Sequence, residues 1–168
     1  IDLTFQRLLE IWGATPGLYV IIILFAILGR SFWLLVAVSI LFGWPALVGL
    51  VRAEFLRARN FEYVRAARAL GGSSLGIMWR HILPNILSPL IVVATTQVAG
   101  AIMAEAALSF LGLGMPVTKP SLGTLIRSGY DLMFAGACWV TVLPGLVLIL
   151  VLVSVNVLGD TVRDALDP

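Results

Sequence analysis

Residues 62–85 read EYVRAARALGGSSLGIMWRHILPN, from Glu62 to Asn85. The stretch holds Arg65, Arg68 and Arg80, the pair Gly71-Gly72, Ser73, Ser74 and the chain's one histidine, His81. Long apolar runs flank it on both sides, ending at Val51 before it and resuming at Ile86 after it. A basic segment enclosed by such runs is the water-facing loop of a membrane protein. Its punctuation shows that it folds. Asn60 is placed to cap a first helix from Phe61, with Glu62 favouring the dipole in its first turn. Gly71-Gly72 ends that helix, because glycine accepts the left-handed conformation at a C-terminal cap. Ser73 or Ser74 caps a second helix ending near Ile82, and Pro84 suits the first turn of whatever follows. Leu75, Met78, Trp79 and Ile82 recur at i, i+3, i+4, i+7 and predict one apolar face.

Composition supports the membrane reading. The chain has 168 residues, 60% hydrophobic and 12% charged, where a soluble domain carries about a quarter charged residues. A net charge of +2 is too small to imply nucleic acid. The one cysteine, Cys138, excludes a disulfide framework or cysteine metal site within the chain and reads as an apolar packing residue. The chain opens on Ile1 within what already reads as mid-protein sequence, so an N-terminal part is expected to precede it.

Four spans are predicted, each near the ~20 residues that cross a bilayer. Span A covers about 11–29, span B 32–51, span C 84–108 and span D 135–158. No period-2 alternation is present, so all four are helices, making an all-α polytopic transmembrane bundle. Gly29-Arg30-Ser31 forces spans A and B into a hairpin. The connection between B and C carries Arg52, Arg57, Arg59, Arg65, Arg68 and Arg80, whereas that between C and D has only Lys119 and Arg127. Positive charge marks the cytoplasmic side. The B–C loop and both termini are therefore expected inside, and the C–D loop outside. A basic loop could simply rest on anionic lipid, but a Gly-Gly corner beside Ala66 and Ala67 suits close docking into a partner.

The stretch AARALGGSSLGIMWRHILP resembles the EAA loop of ATP-binding-cassette (ABC) importer permeases. That pattern has Glu-Ala-Ala, three residues, Gly, nine residues, then Ile-x-Leu-Pro. Here Arg65-Ala66-Ala67, Gly71 and His81-Ile82-Leu83-Pro84 stand at the matching spacing, with Arg65 in place of Glu and His81 in place of Ile. The His-Ile-Leu-Pro-Asn ending, with Ala104–Gly114, Pro120–Ile126 and Asn156–Pro168, is similar to the oligopeptide/dipeptide permeases. The stretch VRAEFLRARNFEYVRAARALG looks closest to their microcin C and long-oligopeptide branch. The resemblance implies a type I ABC importer permease, a single domain over 1–168 lacking its first two helices. Residues 61–84 would be its cytoplasmic coupling loop in a bacterial inner membrane. Ala66 and Ala67 would allow close approach, Gly71 and Gly72 would make the corner, Arg65 and Arg68 would meet an ATPase, and His81 and Pro84 would complete the motif. The implied partners are a second permease in a heterodimer, two ATPase subunits that bind ATP and Mg, and an extracytoplasmic substrate-binding protein. The implied cargo is a peptide or peptide-like solute, with a nickel chelate as an alternative.

Other residues carry weaker signals. Glu105 lies about 33 Å along span C at ~1.5 Å per residue, near its outer end. It could meet a cationic substrate terminus or the outer gate, or form a structural pair with Lys119, Arg127 or the partner permease. Gly100, Ala101 and Ala104 form a small-residue face suited to helix packing. Residues 121–134 read as an amphipathic outer helix with Arg127 and Asp131 as an i, i+4 pair, either a plain surface helix or a platform for the binding protein. His81 has no second histidine or carboxylate at a ligand spacing, so metal or base chemistry is not expected. No phosphate-binding Gly-x-x-x-x-Gly-Lys-Ser/Thr occurs, so the chain is not expected to hold ATP itself or to be an enzyme. A secondary transporter would need ionisable residues within the membrane, and spans A, B and D show none at mid-depth.

Overall fold

The computed structural model describes residues 2–116 and 118–166. The last two residues of the Asn156–Pro168 stretch lie outside them. Among the described residues every regular element is helical: α1 Asp2–Gly13, α2 Gly17–Leu28, α3 Phe32–Ala58, α4 Glu62–Ala69, α5 Ser74–Ile77, a π-helical turn Met78–Ile82, α6 Leu83–Asn85, α7 Leu87–Phe110, α8 Leu122–Met133 and α9 Trp139–Leu166. Three helices are long and apolar enough to cross a membrane, those at Phe32–Ala58, Leu87–Phe110 and Trp139–Ala165. A fourth crossing requires Leu3–Gly13 and Gly17–Leu28 together, bent by 61°.

That bend corrects the expected bounds of span A. Pro16 is extended (φ −69°, ψ 113°) and precedes α2, and a residue before proline is pushed out of the helical region. Ile11 and Trp12 therefore belong to α1, and α2 alone, at ~1.5 Å per residue, is about 18 Å long. The broken span then carries Arg7 and Glu10, whose side chains pair at 2.6 Å. The other limits shift too. Helix α3 runs past Val51 to Ala58 because its continuation, Arg-Ala-Glu-Phe-Leu-Arg-Ala, contains no helix breaker. Helix α7 starts at Leu87 instead of Pro84, and α9 starts at Trp139 because the residues before it form the cap of α8 around Gly136 (φ 86°).

Proline and glycine set how the helices meet. Pro45 lies inside α3; lacking an N–H, it cannot serve the carbonyl four residues back. That carbonyl, of Leu41, instead accepts the Trp12 indole Nε1–H at 3.0 Å. Trp12 also stacks on Phe42, ring centroids 5.7 Å apart. Gln97 on α7 donates its amide across to the Gly43 carbonyl on α3 at 2.9 Å. Ile21, Phe25, Leu35, Val38 and Leu108 form the core joining α2, α3 and α7. On the other side α7 and α9 touch where Gly159 meets Thr95, with no room for a side chain at 159. Helix α8 closes the end remote from the arginine-rich loop, Gly123 lying against the Ala106 carbonyl and Gly129 against Val140 and Thr141.

The Gly159–Thr95 contact predicts a measurable packing constraint. Gly159→Ala should lower the thermal stability of the full-length protein in detergent, by about 1–3 kcal/mol for an overpacked site. Thr95→Ala in the same molecule should restore part of it. Gly145→Ala, where a Cβ meets nothing within 4 Å, should leave the melting curve unchanged.

Candidate functional site

The arginine-rich stretch folds into a corner joining α3 to α7. Asn60 does not cap α4; the N-cap residue is Phe61, extended at φ −70°, ψ 149°. The end of α3 closes too tightly for the expected cap, Asn60 N–H bonding Arg57 O at 3.3 Å and Phe61 N–H bonding Ala58 O at 3.0 Å. The Arg57 guanidinium lies over the Phe61 ring at 5.8 Å. Glu62 in the first turn of α4 and Arg68 in the last complement the helix dipole.

At its C-terminus α4 ends in a two-bond glycine cap. Gly72 N–H bonds Ala67 O and Gly71 N–H bonds Arg68 O, both at 3.0 Å, the pair of bonds that defines a Schellman motif. The two glycines do different jobs. Gly71 has φ 81°, while a Cβ there would meet nothing within 4 Å; a Cβ at Gly72 would come 2.8 Å from Ala67 O. Gly71 is required by its backbone and Gly72 by its neighbours. Ser73 then caps α5, its Oγ accepting Gly76 N–H at 3.2 Å.

The π turn corrects the expected apolar face. Leu83 N–H bonds Met78 O, five residues back, so one extra residue enters the helix. The buried residues become Ile77, Ile82 and Ile86 instead of the Leu75–Ile82 stripe. They pack with Ala58 of α3 and Val64 of α4, which is 0% exposed. Leu75 and Trp79 are left exposed at 68% and 70%, with Leu70 at 89%. Pro84 sits in the short α6, and Asn85 Nδ2 donates to His81 O at 2.6 Å.

The residues singled out from the sequence are partly brought together. Ala66, Ala67, Gly72 and His81 line one concavity of ≈ 530 Å³, with Tyr63 and Arg80 also in its wall. Arg65 is exposed beyond it, and Gly71 shapes it without lining it. Arg68 lies four residues from Val64 and lines a different cavity of ≈ 360 Å³ against α3. A third cavity of ≈ 550 Å³ lies between α3, α7 and α9, with Glu54, Arg57 and Arg163 in its wall. Among the described residues no group of three or more His, Cys, Asp or Glu is placed to hold a metal ion.

At the other end of α7, Glu105 accepts the Ser109 hydroxyl at 2.6 Å, and pairs with neither Lys119 nor Arg127 among the described residues. Ser109, 1% exposed, also accepts Met115 N–H at 3.1 Å. The intervening turn is a second glycine cap, with Gly112 at φ 75° and Leu113 N–H on Leu108 O at 2.8 Å. Helix α8 opens with a capping box between Ser121 and Thr124. The expected Arg127–Asp131 pair does not form, because Arg127 turns toward the turn and its guanidinium occupies the space beside Gly112 that a side chain there would fill. The Ser109 hydrogen bonds were not legible in the sequence; their only signal was a polar residue one turn after Glu105.

Helices of spanning length around a basic, folded connecting loop mark the chain as a polytopic membrane protein. The full length, residues 1–168, matches the family of binding-protein-dependent transport system inner membrane components, and the chain belongs to that family. Its helices are those of the type I ABC importer permease fold. It is 44% identical to the peptidoglycan transport system permease protein YejE of Agrobacterium fabrum, over 99% of this chain and 43% of that protein. It is 42% identical to the inner membrane ABC transporter permease protein YejE of Escherichia coli, over 100% of this chain and 49% of that protein. It is 41% identical to the di/tripeptide transport system permease protein DppC of Pseudomonas aeruginosa, over 97% and 54%. The chain thus spans about half the length of the curated relatives it matches.

The outer turn yields its own expectation. Ser109→Ala removes one hydrogen bond to Glu105 and strands the Met115 N–H, a loss worth about 1–3 kcal/mol for a buried group. The variant should melt earlier in detergent and expose the α7–α8 turn to limited proteolysis.

Proposed function

We propose that this chain is the membrane-spanning part of a permease subunit in an ATP-driven importer of peptides or peptide-like solutes. The cargo is inferred from relatives whose names specify peptidoglycan or di- and tripeptide transport. The mechanism rests chiefly on one observation: a water-facing corner exposes Leu70, Leu75 and Trp79 beside a small-residue concavity. Exposed apolar clusters with a polar rim are characteristic of protein contacts.

In this reading the corner docks on an ATPase subunit. Ala66 and Ala67 allow close approach, Arg65 meets polar or acidic groups at the edge, and His81 and Arg80 line the same concavity. The Val64 cluster ties the corner to α3 and to the start of α7, so a displacement imposed there moves both helices. ATP and Mg are bound by two partner ATPases. A second permease completes the pathway, and an extracytoplasmic binding protein delivers cargo to the side where α8, with Arg127 and Asp131, and Glu105 lie. The arginine-rich corner and both ends of the chain face the cytoplasm. Arg7 and Glu10 satisfy one another in the broken span, and family membership favours an ATP-driven importer over an ion-coupled transporter.

Two experiments test this. Gly71→Val forces a β-branched residue into a left-handed conformation, which costs roughly 1–2 kcal/mol. It should leave the protein inserted while lowering either ATPase retention in pull-downs or solute uptake per ATP in proteoliposomes. Normal values for both would show that Gly71 is not a coupling corner. For orientation, Arg57→Cys and Arg127→Cys on a Cys138→Ser background should label oppositely with a membrane-impermeant thiol reagent in intact cells. Equal labelling would refute the assigned sidedness.

A further inference from the structure

We propose that Ser39 and Gln97 form a contact, midway across the membrane, for a main-chain amide of the cargo peptide. The Ser39 hydroxyl donates to the amide carbonyl, and Gln97 Oε1 accepts the amide N–H. The inference rests on the reading of the chain as a peptide permease. Gln97 lies near the middle of α7, Leu87–Phe110. It is about 15 Å from the helix start at ~1.5 Å per residue, half of a ~30 Å hydrocarbon layer. Its Nε2 donates to Gly43 O on α3 at 2.9 Å. Ser39 precedes Gly43 by one turn on the same face of α3, about 6 Å along the axis. Ser39, Gly43 and Gln97 line two cavities, of ≈ 330 and ≈ 210 Å³, and among the described residues no charged side chain lines either.

The hydrogen-bonding capacity of this pair is unused. Elsewhere in the spanning helices Thr95, Thr96, Ser154 and Thr161 return their hydroxyls to carbonyls of their own helix. Ser39 makes no such bond, nor any other side-chain bond among the described residues. The Gly43 carbonyl can only accept, so it holds the Gln97 amide with Nε2 toward it and Oε1 on the other side. Gln97 Oε1 accepts from no group among the described residues. Neither oxygen is sealed inside the protein: among the described residues, the buried side-chain polar atom without a partner is Thr141 Oγ1.

An open donor and an open acceptor in an apolar wall call for a polar occupant. A lipid acyl chain offers neither group. A neighbouring helix bonds its backbone N–H and C=O groups within itself, so it could answer the pair only through side chains. An extended peptide carries a free N–H and a free C=O at each residue. It satisfies both oxygens whatever its sequence, while Leu35, Trp44 and Leu47 give its side chains an apolar wall. Such a contact selects for the amide and not for the side chain, as a route for peptides of varied sequence requires.

The test measures uptake by the full transporter, with its binding protein and ATPases, in proteoliposomes supplied with ATP. Two cargos are compared at concentrations that saturate the binding protein: trialanine, and its analogue with both amide N–H groups replaced by ester oxygens. Gln97→Met, similar in length but without the amide, should lower trialanine uptake about fivefold, the worth of one hydrogen bond, and ester uptake by less than about twofold. Loss of the Gly43 bridge acts on both cargos alike, so the ratio of the two isolates the amide contact. Ser39→Ala should lower uptake of both cargos, which both keep their carbonyls, while melting and ATPase retention match wild type. An unchanged ratio in Gln97→Met overturns the proposal, whether or not overall uptake falls. So does wild-type uptake of both cargos by Ser39→Ala. That variant removes no hydrogen bond among the described residues, so it keeps the test decisive if Gln97→Met fails to assemble. Failure of the wild-type complex to take up either cargo would instead overturn the peptide reading, and the inference with it.

Discussion

The burial of Val64 against Ala58, Ile77, Ile82 and Ile86 is the contact on which the corner depends. These five side chains come from the end of α3, from α4 and from the approach to α7. Without them, α4 would be an eight-residue helix held only by its ends, too short to persist alone in water. The cluster lies where the chain meets water, so the hydrophobic effect acts on it fully, at about 1.5–3 kcal/mol for each large side chain buried. It makes the corner an extension of two long helices, and leaves Leu70, Leu75 and Trp79 exposed.

Within the apolar helices a different rule governs. A backbone carbonyl released by proline has no water to turn to and requires another donor. Pro45 releases the Leu41 carbonyl, and Trp12 supplies the donor, which fastens the broken span to α3. Near Pro84 the chain widens into a π turn, and Asn85 donates to the His81 carbonyl. Packing follows the same economy of space: Gly159 admits Thr95, Gly123 admits the Ala106 carbonyl, and Gly129 admits Val140 and Thr141. Small residues at such crossings bring helices close enough for dispersion to act.

The corner thereby divides its basic residues among separate surroundings. Arg57 lies near Glu54 and over Phe61, Arg59 and Arg68 line the cavity against α3, and Arg80 borders the outer concavity. A single positive stretch in sequence is three surfaces in space, because successive side chains on short helices with sharp corners point in different directions.

The sequence alone determined that the chain is an all-helical membrane bundle, where its basic loop lies, and which family it resembles. Run length, arginine distribution and the Ala66-Ala67…Gly71…Pro84 spacing are local quantities, and local quantities survive folding. The left-handed corner at Gly71 was legible for the same reason. Helix limits and faces were decided elsewhere. A 3.6-residue period predicted Leu75, Met78, Trp79 and Ile82 as one face, but the π turn inserts a residue and buries Ile77, Ile82 and Ile86. Span A read as starting near Ile11 with Pro16-Gly17 close to its start, yet a whole helix, α1, precedes Pro16 at a sharp bend, and the contacts of Trp12 on α3 hold that bend. Arg127 matched an i, i+4 partner in Asp131, but the space left beside Gly112 drew it into the turn. Each of these outcomes depends on which distant backbone offers a free carbonyl, a gap or a buried face, and only the tertiary structure brings those groups within reach.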